Sequence, residues 1–385
     1  MIKIDGNVAH LYLRSGNASR RQAMANGLDD VVAAETVLSD VDGLGGRLTI
    51  RGHSLPELAG RWNYAQVVRL LLDGFFNDLP DDAQLTRALG QARADVFERL
   101  LPSLPLLAPL DVYSAMRAGI AQLPDGETLT DALLLIAAPA VLTPALLRLR
   151  RGEQPIAPDS RTDHAADMLR MLSGRVASPA LTKALDTYLV TVCDHGLNAS
   201  TFATRVVAST QAGQTSSVLA GLGALKGPLH GGAPGPVIEM LDAIQAHGDA
   251  AGWLRNEIAQ GRRIMGFGHR IYRVRDPRAD VLKAVVRQLG GEGETGRRLA
   301  FAETVEQTAL EVLRIAKPQR SLQTNVEFYT ALVLQAAGFP PQAFSNVFAA
   351  GRVAGWIAHA REQQTTGRLI RPQSRYVGPV PDLVA

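Results

Sequence analysis

The chain of 385 residues has one cysteine, Cys193. No intrachain disulfide can form, and a metal centre built on cysteines is not expected. Sparse thiols fit a reducing compartment. Aromatic residues make up only 5%, so Ala, Leu and Val carry the apolar load, which leans toward helix. Neither sign of charge dominates: 40 basic residues face 37 acidic ones, a net +3. A nucleic-acid partner would call for a basic cluster, and none is expected; the slight positive excess still suits anionic ligands.

Long apolar runs are also missing. The longest nearly apolar stretch, Ala132 to Leu147, is interrupted by Pro139 and Pro144. It reads as too short and too broken to span a bilayer, and as a buried helix pair instead. Met1-Ile2-Lys3-Ile4-Asp5 lacks the apolar core of a signal peptide. The expectation is a cytoplasmic protein without membrane association. There is no G-x-x-x-x-G-K-[ST] loop, no H-E-x-x-H and no G-x-S-x-G elbow. Gly221-x-Gly223 lacks the third glycine of a dinucleotide fingerprint.

What is present is helical periodicity. Tyr64 to Phe76 carries an apolar stripe. Ser178 and Pro179 predict an N-cap and first turn of a helix running to Cys193. Asp276 and Pro277 do the same for a helix to Leu289. Further helices are predicted over Ala199 to Thr210, Phe328 to Ala337 and Val347 to Ala360, and from Pro234 or Pro236 to Ala246. Arg47 to Arg51, between Gly46 and Gly52, is the best strand. The fold class is all-α. Glycines crowding Gly221 to Gly235 suggest a domain crossing there, with a return near Asn325 to Thr330. That gives 1–222 as the first part of a large domain, 223–328 as a smaller inserted one and 329–385 as the large domain's end.

The chemistry-bearing residues sit at element boundaries. His269 follows Gly266-Phe267-Gly268, glycines that let backbone approach something closely; Arg273, Arg275 and Arg278 follow within nine residues. Arginine forks match carboxylates. His230 lies just before a predicted helix start, whose positive potential favours a neutral ring. Asn325 is a natural N-cap and puts Glu327 in a first helical turn, where an acid either compensates the dipole or serves as a base. His195 and Asn198, three apart, could share one helix face. Arg352 is surrounded by small residues, and Arg371 precedes Pro372 in an extended tail. Each has a plain structural alternative: a turn histidine, a solvated basic loop, an interhelical ion pair, a frayed end. A metal held by His195, His230, His269 and Glu327 has no local ligand spacing behind it.

Together these motifs resemble the citrate synthase family. The resemblance runs over most of the chain. It includes Arg51-Gly52-His53-Ser54-Leu55, His195-Gly196-Leu197-Asn198-Ala199-Ser200-Thr201, Gly227-Pro228-Leu229-His230-Gly231-Gly232-Ala233, Gly266-Phe267-Gly268-His269 with Asp276-Pro277-Arg278, Asn325-Val326-Glu327-Phe328-Tyr329, Gly351-Arg352 and Arg371-Pro372. It implies an almost all-helical homodimer with the active site in a cleft between a large and a small domain, producing citrate for the tricarboxylic acid cycle. Glu327 would take a proton from the acetyl methyl of acetyl-CoA, His230 would stabilise the enol, and His269 would polarise the oxaloacetate carbonyl. His195, Asn198, Arg278, Arg352 and a partner's Arg371 would hold oxaloacetate. Arg273, Lys226, Gly266 and Gly268 would contact coenzyme A. No metal or redox cofactor is implied, since acetyl-CoA is a co-substrate.

The chain departs from the pattern at one turn. The family's usual base is the aspartate of Asn-Val-Asp, usually after a proline; here Glu327 and Thr324 stand there. An extra methylene moves the carboxylate by on the order of 1 Å, which can cost about 100-fold in rate unless the turn compensates. A 2-methylcitrate synthase using propionyl-CoA, and a weakly active paralogue sensing oxaloacetate or CoA, are the alternatives. Glu327 and the unassigned N-terminal segment, Met1 to Asn26, motivate the latter; that segment contains Arg14, Arg20 and Arg21 but is too short for a DNA-binding domain.

Overall fold

The computed structural model describes residues 28, 31–230, 234–290 and 293–379. The N-terminal arginines and the Gly231-Gly232-Ala233 part of the His230 motif lie outside the described residues. The chain separates into two units, Met1–Glu35 and Thr36–Ala385. In the first, the Leu28 carbonyl accepts from the amide of Val31. The second carries the fold.

It opens with a small antiparallel sheet, β1 (Ser39–Asp42), β2 (Arg47–Ile50) and β3 (His53–Ser54), in the order β1-β2-β3. Thr49 pairs with both Asp40 and Ser54. There follow α1 (Leu55–Leu58), α2 (Tyr64–Leu72), α3 (Asp82–Leu100), α4 (Leu104–Leu107), α5 (Val112–Ile120) and α6 (Leu129–Arg150). Next come α7 (His164–Ser173), α8 (Pro179–Val192), α9 (Ala199–Ala208), α10 (Gln214–Leu225) and α11 (Pro234–His247). The last are α12 (Ala250–Ala259), α13 (Pro277–Leu289), α14 (Glu294–Ala316), α15 (Val326–Ala336) and α16 (Phe344–Thr366). The predicted caps are there: Ser178 accepts from Leu181 N, Asp276 from Arg278 N and Asn325 from Glu327 N. Cap and proline at a helix start are local chemistry, which is why sequence alone places them.

The apolar stretch with two prolines is a correction. It is one helix, α6, with Pro139 and Pro144 inside it, not a helix pair. An internal proline costs about 3 kcal/mol in an isolated helix. Here every residue from Ala132 to Leu147 is buried, against α3, α5, α7 and α16, and that burial outweighs the cost. At 22 residues α6 is long and apolar enough to cross a membrane by length and composition alone, but 89% of its apolar window is buried inside the protein. It is therefore longer than the sequence suggested, and it is a core element.

α16 is the other central helix, buried almost all round and packed on α2, α6, α8, α9 and α10. Gly355 makes its contact with the end of α8 possible. A Cβ there would lie 2.2 Å from the carbonyl oxygen of Cys193 and 3.1 Å from Asp194 Oδ1. On the far side, α13 and α15 pack on each other and on α8. The starts of α13 and α15, the loop after α8 and the middle of α16 thereby face a common region. Gly355→Ala is expected to destabilise the protein by about 2 kcal/mol or more, as read by urea unfolding; an unchanged midpoint would contradict this packing.

Candidate active site

The glycine loop is pinned to the turn that starts α15. Gly268 N donates to the Gln323 carbonyl (2.7 Å), Asn325 N to the Gly266 carbonyl (2.9 Å) and Asn325 Nδ2 to the Gly268 carbonyl (2.8 Å). Phe267 and Thr324 form an antiparallel bridge. Gly266 and Gly268 both take φ +81°, and side chains there would press 2.9 Å from Phe328 Cβ and 2.8 Å from Leu322 Cδ2. The glycines allow this close approach, which fixes His269 relative to Glu327.

The His269 ring is held in one tautomer. Its Nδ1 accepts from the amides of Ile271 and Tyr272, both at 3.0 Å, so the proton sits on Nε2. That nitrogen lies 3.3 Å from Arg278 Nη2. Two donors at that distance cannot bond each other, and together they can serve a single oxygen acceptor. Arg278 is buried and paired with buried Asp276, through Nε (3.0 Å) and Nη2 (2.9 Å). The second Asp276 oxygen also accepts from Val326 N at 3.1 Å. Asp276 is therefore more than the N-cap the sequence predicts.

His195 joins this group, 5.6 Å from the His269 ring, with Nε2 3.1 Å from the Tyr272 hydroxyl. It stands in the loop between α8, which ends at Val192, and α9, a loop in which Gly196 takes φ +58°; the expected shared helix face with Asn198 does not exist. Asn198 is the N-cap of α9, its Oδ1 accepting from the amides of Ser200 and Thr201 at 3.1 Å. Its amide nitrogen reaches the carbonyls of His195 and Gly196. Asn198 braces the loop. Fully buried Ser200 lies between it and His230: Ser200 Oγ is 2.8 Å from Asn198 Oδ1 and 2.7 Å from His230 Nε2, and accepts from Trp356 Nε1 at 3.1 Å.

The protonation states follow from burial. His230 and His269 are pushed down to about 4, first by burial and then by Arg352 and Arg278 for His230 and by Arg278 for His269. His195 is shifted down too, by burial and the same cations. All three imidazoles are neutral at pH 7. Arg352 is buried, with Nε donating to the Val192 carbonyl (2.5 Å) and its guanidinium 4.9 Å from the Phe348 ring. Glu327 goes the other way. Its Oε2 is buried without a partner, and burial lifts its pKa to about 7 against the opposing pull of Arg278. Asp276 has taken the guanidinium that would otherwise hold Glu327 ionised.

Other predicted residues lie outside this cluster. Arg371 is exposed in the segment after α16; Arg273 and Lys226 are exposed, Arg273 N donating to the Gly43 carbonyl at 2.8 Å. Sequence reasoning gave no role to Ser200, Trp356 and Tyr272. Ser200 and Tyr272 stand within five residues of predicted site histidines, the available signal; Trp356 has none. Among the described residues, no three His, Cys, Asp or Glu side chains are grouped to hold a metal ion.

Comparison with known proteins gives the family. Residues 27–373 match the family model for the citrate synthase C-terminal domain. The chain belongs to the citrate synthase family. It is an enzyme of that type. The citrate synthase of Acidithiobacillus ferridurans is 34% identical over 376 residues, covering 92% of this chain and 95% of that one. The 2-methylcitrate synthase of Mycobacterium tuberculosis is 35% identical over 372 residues, covering 93% and 91%. Among solved structures, the ternary complex of Thermoplasma acidophilum citrate synthase with carboxymethyl coenzyme A and oxaloacetate superposes with a TM-score of 0.82 at 28% identity, covering 92% of this chain and 96% of that one.

The raised Glu327 value has a consequence for stability. In the unfolded chain a glutamate ionises near 4.5, whereas the folded protein keeps Glu327 protonated until about 7. Folding stability therefore falls as pH rises from 4.5 to 7, and the full penalty persists above 7. Glu327→Gln is expected to raise Tm at pH 8 and to leave it unchanged at pH 4, measured by calorimetry. Equal Tm values at both pH values would show that the carboxylate is not strained by burial.

Proposed function

We propose that this citrate synthase family enzyme condenses acetyl-CoA with oxaloacetate and hydrolyses the resulting thioester to citrate and CoA. The observation that carries the reading is the Glu327 carboxyl, whose Oε2 is buried without a partner and whose pKa burial lifts to about 7, held in one cluster with two neutral imidazoles and two buried guanidiniums. A thioester methyl is a weak acid, so its deprotonation needs a poised base and simultaneous stabilisation of the oxygen. Glu327 takes the methyl proton. His230 donates to the enolising thioester oxygen from Nδ1, which requires the Ser200 hydroxyl to turn its proton from Asn198 Oδ1 to His230 Nε2. The paired donors His269 Nε2 and Arg278 Nη2 receive the oxaloacetate carbonyl and its neighbouring carboxylate, and His269 protonates the new alkoxide. Arg352 and His195 complete the hold on the dicarboxylate, for which arginine forks supply orientation as well as charge.

Several parts of this reading come from the family resemblance. In it the enzyme works in the cytoplasm as a homodimer, with Arg371 of one copy completing the oxaloacetate site of the other. Residues 223–328 form a small domain between 1–222 and 329–385 that closes over bound oxaloacetate. Arg273, Lys226 and the Gly266–Gly268 backbone lie along the coenzyme A path, and no metal or redox cofactor takes part.

Two measurements test the assignment. In a thiol-release assay, kcat/KM should rise with pH and level off above about 7, because only ionised Glu327 accepts the proton. Glu327→Gln should lower kcat by about 10²–10⁴-fold while oxaloacetate affinity by calorimetry stays near that of the native enzyme. Normal turnover of this variant would remove Glu327 as the base. A higher kcat/KM for propionyl-CoA than for acetyl-CoA would make 2-methylcitrate the product. In mixed dimers, one subunit carrying Arg371→Ala and the other Glu327→Gln, one of the two sites stays intact if the arginine crosses over; activity no higher than the mean of the two parent variants would contradict the sharing.

A further inference from the structure

We propose that Glu306, on α14 and outside the cleft cluster, is a positioning residue that sets where the Glu327 carboxylate stands. The proposal rests on the reading of Glu327 as the base. Glu306 is 2% exposed, and burying a carboxylate is costly unless its lone pairs are met. Here all four directions are met. Oε1 accepts from Thr324 Oγ1 (2.7 Å) and Arg275 Nη1 (3.0 Å); Oε2 accepts from Tyr329 Oη (2.6 Å) and Lys283 Nζ (2.7 Å). Despite burial, these hydrogen bonds and cations keep its pKa below the usual glutamate value.

The two cations would suffice to neutralise the charge. The two hydroxyls come from Thr324 and Tyr329, three residues before Glu327 and two after it. Residues two apart on a helix point about 200° from each other. Drawing Tyr329 toward α14 therefore turns Glu327 to the opposite side, toward Arg278 and Arg352. Thr324 fixes the other coordinate. It is bridged to Phe267, and its hydroxyl ties the turn back to α14, opposite to the direction in which a glutamate reaches. One carboxylate thus holds both ends of the base-bearing turn and also Arg275, next to Asp276. This gives a physical means by which the turn accommodates a base longer by one methylene, at the position where the sequence carries a hydroxyl residue.

Thr324→Val keeps the shape and removes the donor. It is expected to lower kcat for CoA release about tenfold, a fraction of the loss a full 1 Å misplacement causes, with oxaloacetate affinity by calorimetry close to native. Thr324→Ser should recover most of the rate, and Tyr329→Phe should act in the same direction as Thr324→Val. Crystal structures should show the Glu327 carboxylate displaced in Thr324→Val and in place in Thr324→Ser. A merely structural contact would lower Tm and leave kcat alone; native kcat with an unmoved Glu327 in Thr324→Val overturns the proposal. Should the native protein release no CoA from any acyl thioester, the functional reading fails, and the crystallographic comparison still decides the positioning.

Discussion

Asp276 is buried, and its two carboxylate oxygens accept from Arg278 through the backbone amide, Nε and Nη2, and from the amide of Val326. One side chain therefore joins the start of α13, which carries Arg278, to the start of α15, which carries Glu327. Removing one partner of such a buried pair typically costs about 3–5 kcal/mol, because the other charge is left without compensation. The constraint is electrostatic as well as geometric. Arg278 has two carboxylates within its field, and Asp276 claims the guanidinium at bonding distance. Glu327 is left near enough to feel the cation and too poorly paired to be ionised by it, so burial prevails. Two acids beside one base with opposite shifts is the pattern expected of a site that keeps one carboxylate as structure and the other as reagent.

The imidazoles follow the same logic. A histidine near a carboxylate usually gains affinity for protons. His195, His230 and His269 are instead crowded by Arg278 and Arg352 and withdrawn from water. Neutral rings can donate one hydrogen bond without repelling the guanidiniums around them. The orientation of each ring is then a question of what its second nitrogen touches: backbone amides for His269, Tyr272 for His195, Ser200 for His230.

A buried network supports the loop that carries His195. Arg205 bonds Glu362 and His359, His359 bonds Asp194, and Asp194 accepts from Ser39, whose hydroxyl also takes the amide of Gly196. The arginine leaves His359 Nδ1 as an acceptor, so its other nitrogen donates to Asp194. In this way α9, α16 and β1 hold one short loop between them.

Caps and turns were legible in the residues because they are local: Asn325 before Glu327, Asp276 and Pro277 before Arg278, and Gly266 and Gly268 before His269 declare a boundary within a few positions. The helical class and family membership were legible for the same reason, since periodicity and short motifs survive without knowledge of partners. Only the tertiary structure decided that α6 runs unbroken through two prolines, because the burial that offsets them comes from helices distant in sequence. Only it showed Asn198 to brace the loop as the cap of α9, and revealed Ser200, Trp356 and Glu306. Above all, the protonation of Glu327 depends on how deeply it is buried and on which carboxylate reaches Arg278 first, quantities that exist only once α13, α15 and α16 are packed together.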